Sequence, residues 1–98
     1  MPRYIILINL TGEGVKSIKD LPKRVKAGRE ELEKAGGKWL SWHLTMGQYD
    51  AVVVCEAPDD FTTASILLGI GKLGSARTTT LKAFTEEEAT KIIEKIPD

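Results

Sequence analysis

The chain has 98 residues, 42% hydrophobic and 29% charged, which suits one ordinary globular domain with a single modest core and excludes a second. Its 14 Lys/Arg balance 14 Asp/Glu, so it lacks the basic footprint of a nucleic-acid binder, and its apolar runs fall far short of the roughly 20 residues of a membrane span. One cysteine, Cys55, excludes an internal disulfide and a cysteine-rich zinc site.

Met1-Pro2-Arg3 passes straight into a strand pattern, with no space for the three parts of a secretory signal, so a cytoplasmic protein is expected. Tyr4 to Leu10 is apolar at nearly every position and rich in β-branched residues, as in a strand buried on both faces. Thr11-Gly12-Glu13-Gly14 ends it. Val15, Ile18 and Leu21 precede Pro22, and Val25, Leu32 and Ala35 continue a helical spacing. The pattern predicts a short helical turn over about 14–19 and a main helix over about 21–35, with Asp20 as N-cap, Pro22 in the first turn and Gly36-Gly37 as the stop.

Lys38 to Leu44 alternates, with Trp39, Ser41 and His43 on one face and Leu40, Trp42 and Leu44 on the other, as in an edge strand whose orientation stays open. A turn around Gly47 follows. Ala51-Val52-Val53-Val54-Cys55 is a second continuous apolar run and reads as a central strand. Asp59 or Asp60 then caps a helix with a predicted inner stripe of Phe61, Ala64, Leu67, Leu68 and Gly71, ended by Gly74-Ser75. Arg77 to Phe84 is a threonine-rich edge strand. Thr85 and Glu88 form a capping box for a last helix with Ala89, Ile92, Ile93 and Ile96 on one face.

The order β-α-β-β-α-β-α is an α+β, ferredoxin-like sandwich over the whole of residues 1–98, with an added C-terminal helix and an expected strand order of 4-1-3-2. In that order both doubly apolar strands are central. Two main helices cover only one face of such a sheet, so something must cover the other. A second copy of the same sheet is the simplest self-complementary cover, and the C-terminal helix folded across that face is the competing one. Charge is also divided: up to Tyr49 there are 9 Lys/Arg against 5 Asp/Glu, and beyond it 5 against 9. A solvated helix face explains the basic excess, and an anionic partner is the alternative.

Several stretches together are similar to the GYD domain family, whose signature Gly47-Gln48-Tyr49-Asp50 resembles. They include Tyr4 to Leu10, Ile18 to Arg24, Gly36-Gly37, Leu44 to Asp50, Glu56 to Asp60, Arg77 to Leu81 and Ala83 to Glu88. The resemblance implies a dimeric α/β-barrel type of assembly, in which two ferredoxin-like sheets enclose a cavity. That superfamily includes small monooxygenases, isomerases, haem-degrading enzymes and effector-binding domains of regulators. The family brings no reaction of its own, and fold analogy supplies none.

In this topology Asn9, His43, Tyr49, Asp50 and Arg77 fall at one pole of the sheet, where a few polar groups on an apolar surface could orient a ligand. The structural alternative has Asp50 capping the turn or pairing with a base, Tyr49 packing its ring and Gly47 serving the turn. His43, the only histidine, is a candidate acid/base or ligand-binding group with Asp50 beside it, or a packed side chain. No metal or other cofactor is expected, and Cys55 reads as a buried, inert thiol. Gly69-Ile70-Gly71-Lys72-Leu73-Gly74 matches a dinucleotide fingerprint in letters only, because it closes a helix instead of opening one. Its glycines are expected to allow close helix packing. Asn9-Leu10-Thr11, a glycosylation acceptor in letters, ends a buried strand.

Three functions fit these residues. The first is a homo-oligomer binding a small, partly apolar molecule in a cavity between or beside the sheets. The second is a cofactor-independent enzyme, isomerase-like or monooxygenase-like, with His43 or Asp50 moving a proton and Arg77 or Tyr49 holding an oxygen. The third is a structural oligomerisation module. The expected partner is the chain itself, with a possible small-molecule ligand and neither nucleic acid nor membrane.

Overall fold

A computed structural model describes residues 1–98. Four strands, β1 (Arg3–Leu10), β2 (Lys38–Leu44), β3 (Ala51–Glu56) and β4 (Ala76–Ala83), form one antiparallel sheet in the order β2-β3-β1-β4. This is the expected 4-1-3-2 order read from the other edge. The apolar runs are the two central strands, and the mixed ones are the edges.

Helices α1 (Gly12–Lys16), α2 (Leu21–Lys34), α3 (Asp60–Lys72) and α4 (Glu86–Glu94) complete the chain. Thr11 caps α1 by accepting from Gly14 N, and a 3₁₀ turn over Ile18–Asp20 leads into α2. Asp20 occupies the position before α2, but its side chain makes no capping bond; Pro22 starts the helix without needing one. Gly36, at φ 90°, then reverses the chain.

Tyr4, Leu32, Val53, Cys55 and Ala57 form the buried core where the sheet meets the helix layer. Burial pushes the Cys55 thiol above its ordinary pKa, with Glu56 adding to the shift, so the thiol stays protonated. Two sequence expectations about facing need correction. A bulge between Trp39 and Ser41 shifts the alternation of β2, so Trp39 and Trp42 share the helix side. In α3, Thr63 is buried and Ile66, Leu67 and Ile70 are half-buried, whereas Phe61 and Leu68 are 90% and 76% exposed and Ala64 and Gly71 are exposed. Apolar residues surround this helix almost completely, so spacing alone could not orient it. Asp59 sets its start, accepting from Thr62 N at 2.8 Å, and Tyr4 Oη fixes its rotation by donating to Asp60.

The helix layer is unevenly filled. α2 rests mainly toward β2 and α3 toward β4, with little contact between the two helices. The C-terminal helix does not supply the second cover: α4 packs extensively on no other element, and Ile92, Ile93 and Ile96 are exposed. No helix is long and apolar enough to cross a membrane.

Candidate functional site

Alternation along the strands sorts every sheet residue by face. Ile6, Ile8, Ala51, Val53, Ala76 and Thr78 line the space under the helices. Their neighbours Ile5, Leu7, Asn9, Val52, Val54, Arg77, Thr79 and Leu81 therefore point to the uncovered side. Ser41 and His43 pair with Val54 and Val52, which places His43 on this open face too. The question left by sequence, which face carries the histidine, has this answer.

The open face is apolar in its middle and polar at one end. His43-Val52-Leu7-Thr79 forms one row across all four strands, and Ile5, Val54 and Leu81 lie in the next. Asn9 and Arg77 are direct partners at the polar end. His43 and Arg77 stand on opposite edges, three strand spacings or about 14 Å apart, so within one chain they cannot grip the same atom.

The signature turn is occupied by its own backbone. Asp50 donates its N–H to Ile8 O at 2.8 Å and accepts from Thr45 N at 2.9 Å. Its Oδ2 accepts from Leu10 N at 2.8 Å, and Thr45 Oγ1 donates to Tyr49 O at 2.6 Å. Asp50 thus holds the end of β1 to the start of β3, while Tyr49 is half-buried beside it. Gly47 has φ 112°, the left-handed geometry this turn requires.

A second arrangement lies under the helices. A cavity of about 540 Å³ runs between α2, α3 and the sheet, walled mostly by apolar side chains that include Trp39, Trp42 and Ile66. None of the five polar-pole residues lines it. The indole N–H of Trp39 is enclosed without an acceptor, and the Arg29 guanidinium lies 5.2 Å from the centre of its ring. An added Cβ at Gly28 or Gly69 meets nothing within 4 Å. These glycines therefore leave room, contrary to the expected close packing of α3.

Tyr4, Asp60 and Lys82 form a titratable cluster that sequence spacing could not reveal. Tyr4 Oη donates to Asp60 Oδ1 at 2.5 Å, and Lys82 Nζ reaches both carboxylate oxygens at 3.1 and 3.2 Å. Burial, helped by the bond to Asp60, raises the Tyr4 pKa. The Tyr4 bond and then Lys82 hold the Asp60 carboxyl below its ordinary value, and Asp60 raises Lys82 in return. No group of three His, Cys, Asp or Glu side chains is placed to hold a metal ion.

These features define an antiparallel ferredoxin-like domain with one bare sheet face, one hollow helix layer and a detached C-terminal helix. The chain belongs to the GYD domain family, which matches residues 4–93. It is similar to the glutamine synthetase and cystathionine beta-lyase binding protein of Thermus thermophilus, with 37% identity over 85 residues, covering 86% of this chain and 90% of the relative. No solved structure matches it significantly.

Proposed function

We propose that this protein is a homo-oligomeric docking module that binds metabolic enzymes. One observation carries the reading: the chain folds and still leaves two apolar surfaces that its own elements do not cover, the middle of the open sheet face and the Ile92, Ile93 and Ile96 stripe of α4. A sheet face is self-complementary through a two-fold axis, so a second copy is its natural cover. Asn9, His43 and Arg77 then lie along the seam. An exposed amphipathic helix suits the groove of a different protein. The relative's name supplies the class of partner, an enzyme such as glutamine synthetase or cystathionine beta-lyase.

Purified glutamine synthetase and cystathionine beta-lyase from the same organism, titrated by calorimetry, test this reading. Saturable binding to either enzyme is expected, lost in the double substitution Ile92→Asp, Ile93→Asp with no change in melting temperature. Absence of binding to both enzymes overturns it.

A second reading, binding of a small, partly apolar molecule, is supported by the cavity under α2 and α3, whose volume is typical of small-molecule pockets. The enzyme reading belongs instead to the open sheet face, where His43 or Asp50 would move a proton, since neither lines that cavity. Asp50 already serves three backbone partners, so His43 carries the weight. His43→Asn tests it against any substrate found.

A further inference from the structure

The hollow beneath the helices has a shape as well as a volume. Its walls run from Leu21 to Leu32 on α2 and from Thr63 on α3 to Leu73 just after it, which is about 15 Å along each helix at the α-helical rise. Spread over that length, about 540 Å³ gives a mean section of about 35 Å², which admits a chain of carbon atoms in a groove left partly open to solvent where Ala27, Ser65 and Gly69 are exposed. Small residues keep this channel open at its middle, Ala27 and Gly28 on one wall and Ser65 and Gly69 on the other. Trp39 lines it too, packed against the buried cluster that includes Leu32 and Ala57. Its enclosed N–H is the one buried donor of the cavity wall that has no acceptor. Thr63, by contrast, spends its hydroxyl on Asp59 O at 2.9 Å, and Arg24 donates to Ser17 and to Gly14 O. A buried N–H without an acceptor is costly, and an oxygen brought in by a ligand relieves that cost.

We propose that the channel between α2 and α3 binds a medium-length acyl chain, its carbonyl or carboxylate oxygen accepting from the Trp39 indole N–H. This rests on the small-molecule reading of the cavity and names the class of molecule. A chain of about ten to twelve carbons spans the channel, given ordinary carbon–carbon bond lengths near 1.5 Å. Arg29 stacks against the indole and holds it in place, so the donor is fixed before the ligand arrives.

Trp39 and Trp42 are the only tryptophans of the chain and both line the channel, so intrinsic fluorescence reads this site alone. Dodecanoate titrated into the whole protein at micromolar concentrations is expected to change the emission saturably. Gly69→Leu and Gly28→Leu each place a side chain in the open channel, remove a helix-weakening glycine and should weaken binding at least about tenfold. Trp39→Phe keeps Trp42 as the reporter and is expected to lose about tenfold in affinity, the worth of one hydrogen bond. No saturable response in the unsubstituted protein overturns the proposal, as does unchanged affinity in both leucine variants. Native and denaturing mass spectra of gently purified protein separate the two levels of failure. A retained molecule of another class, with dodecanoate silent, overturns the acyl assignment and leaves the small-molecule reading standing. An empty protein that ignores dodecanoate overturns both.

Discussion

On β1, Ile6 and Ile8 face the helices, while Ile5 and Leu7, one position away, face nothing in the chain. The same contrast runs along β3, where Ala51, Val53 and Cys55 are buried and Val52 and Val54 are half-exposed. Strand sequence does not distinguish the two sides, because both are built from the same β-branched residues. What distinguishes them is supply: two long helices serve one face, and α4, the one spare element, leaves the domain instead of folding back. The covered face is itself incompletely filled, since α2 and α3 stand apart over the cavity. One face is thus a bare plane, and the other holds an apolar groove that is partly open to solvent.

Substituting neighbours on β1 separates these fates most sharply. Ile6→Asp puts a charge under the helices and is expected to cost more than about 4 kcal/mol, enough to unfold a domain of this size. Leu7→Asp should leave the monomer within about 1 kcal/mol of its original stability and convert the proposed sheet-to-sheet assembly to monomers. Urea denaturation followed by sedimentation velocity reads both quantities. Equal effects of the two substitutions would break the comparison of faces.

Much of this architecture was legible in the residues. Tyr4 to Leu10 and Ala51 to Cys55 read as central strands because uninterrupted β-branched runs need cover on both faces, and the strand order is the usual one of the β-α-β-β-α-β arrangement. The Thr85/Glu88 capping box was legible because its chemistry is local. The facing of α3 was not, because a helix apolar nearly all round has no preferred side until Asp60 meets Tyr4, 56 positions away. For the same reason the cavity was hidden: Gly69 reads as a site of close approach, and only the separation of α2 from α3 makes it, with Gly28, a spacer. Topology predicted a polar pole without revealing that Asp50 bonds to Leu10 N or that β2 and β4 hold His43 and Arg77 far apart.

The polar end of the open face offers the next test. Asp50→Ala leaves the partly buried Leu10 N–H without its acceptor and is expected to cost about 1.5 to 3 kcal/mol, the range for hydrogen bonds to charged groups. Asp50→Asn keeps an acceptor oxygen and should recover much of that loss. Equal losses in the two variants, measured by urea denaturation, would show that Asp50 acts by its charge and not by its geometry.

On the helix side, the Tyr4, Asp60 and Lys82 cluster predicts a pH dependence. The Asp60 carboxyl is depressed in the folded protein by its bonds to Tyr4 and Lys82. The unfolded chain therefore binds its proton first, and the stabilisation is present above about pH 4, the unperturbed range, and is lost as pH falls through the lower folded value. Tyr4 works in the opposite sense: its raised pKa gives stability that is complete below about pH 10 and is lost as pH rises through the folded value. In Tyr4→Phe, melting temperatures should fall less steeply below pH 4 and should no longer show the alkaline loss due to Tyr4. An unchanged slope at both limits would remove this cluster from the account.

The smallest effect belongs to α4, and its smallness is the point. Thr85→Ala removes the side-chain bond to Glu88 N and with it half of the capping box, a change worth about 0.5 to 2 kcal/mol to a helix that contributes to the fold. Because α4 packs extensively on nothing in its own chain, that cost should not reach the domain, and the global melting temperature should move by no more than about 2 °C. Amide exchange in residues 86–94 should accelerate instead, in the free protein only. With a partner enzyme bound on the isoleucine stripe, the same amides should regain protection and the partner should bind the variant more weakly, since it must then order the helix itself. If Thr85→Ala lowers the melting temperature of the free protein as much as Asp50→Ala does, α4 belongs to the folding unit, and its apolar face is then not free to receive another protein.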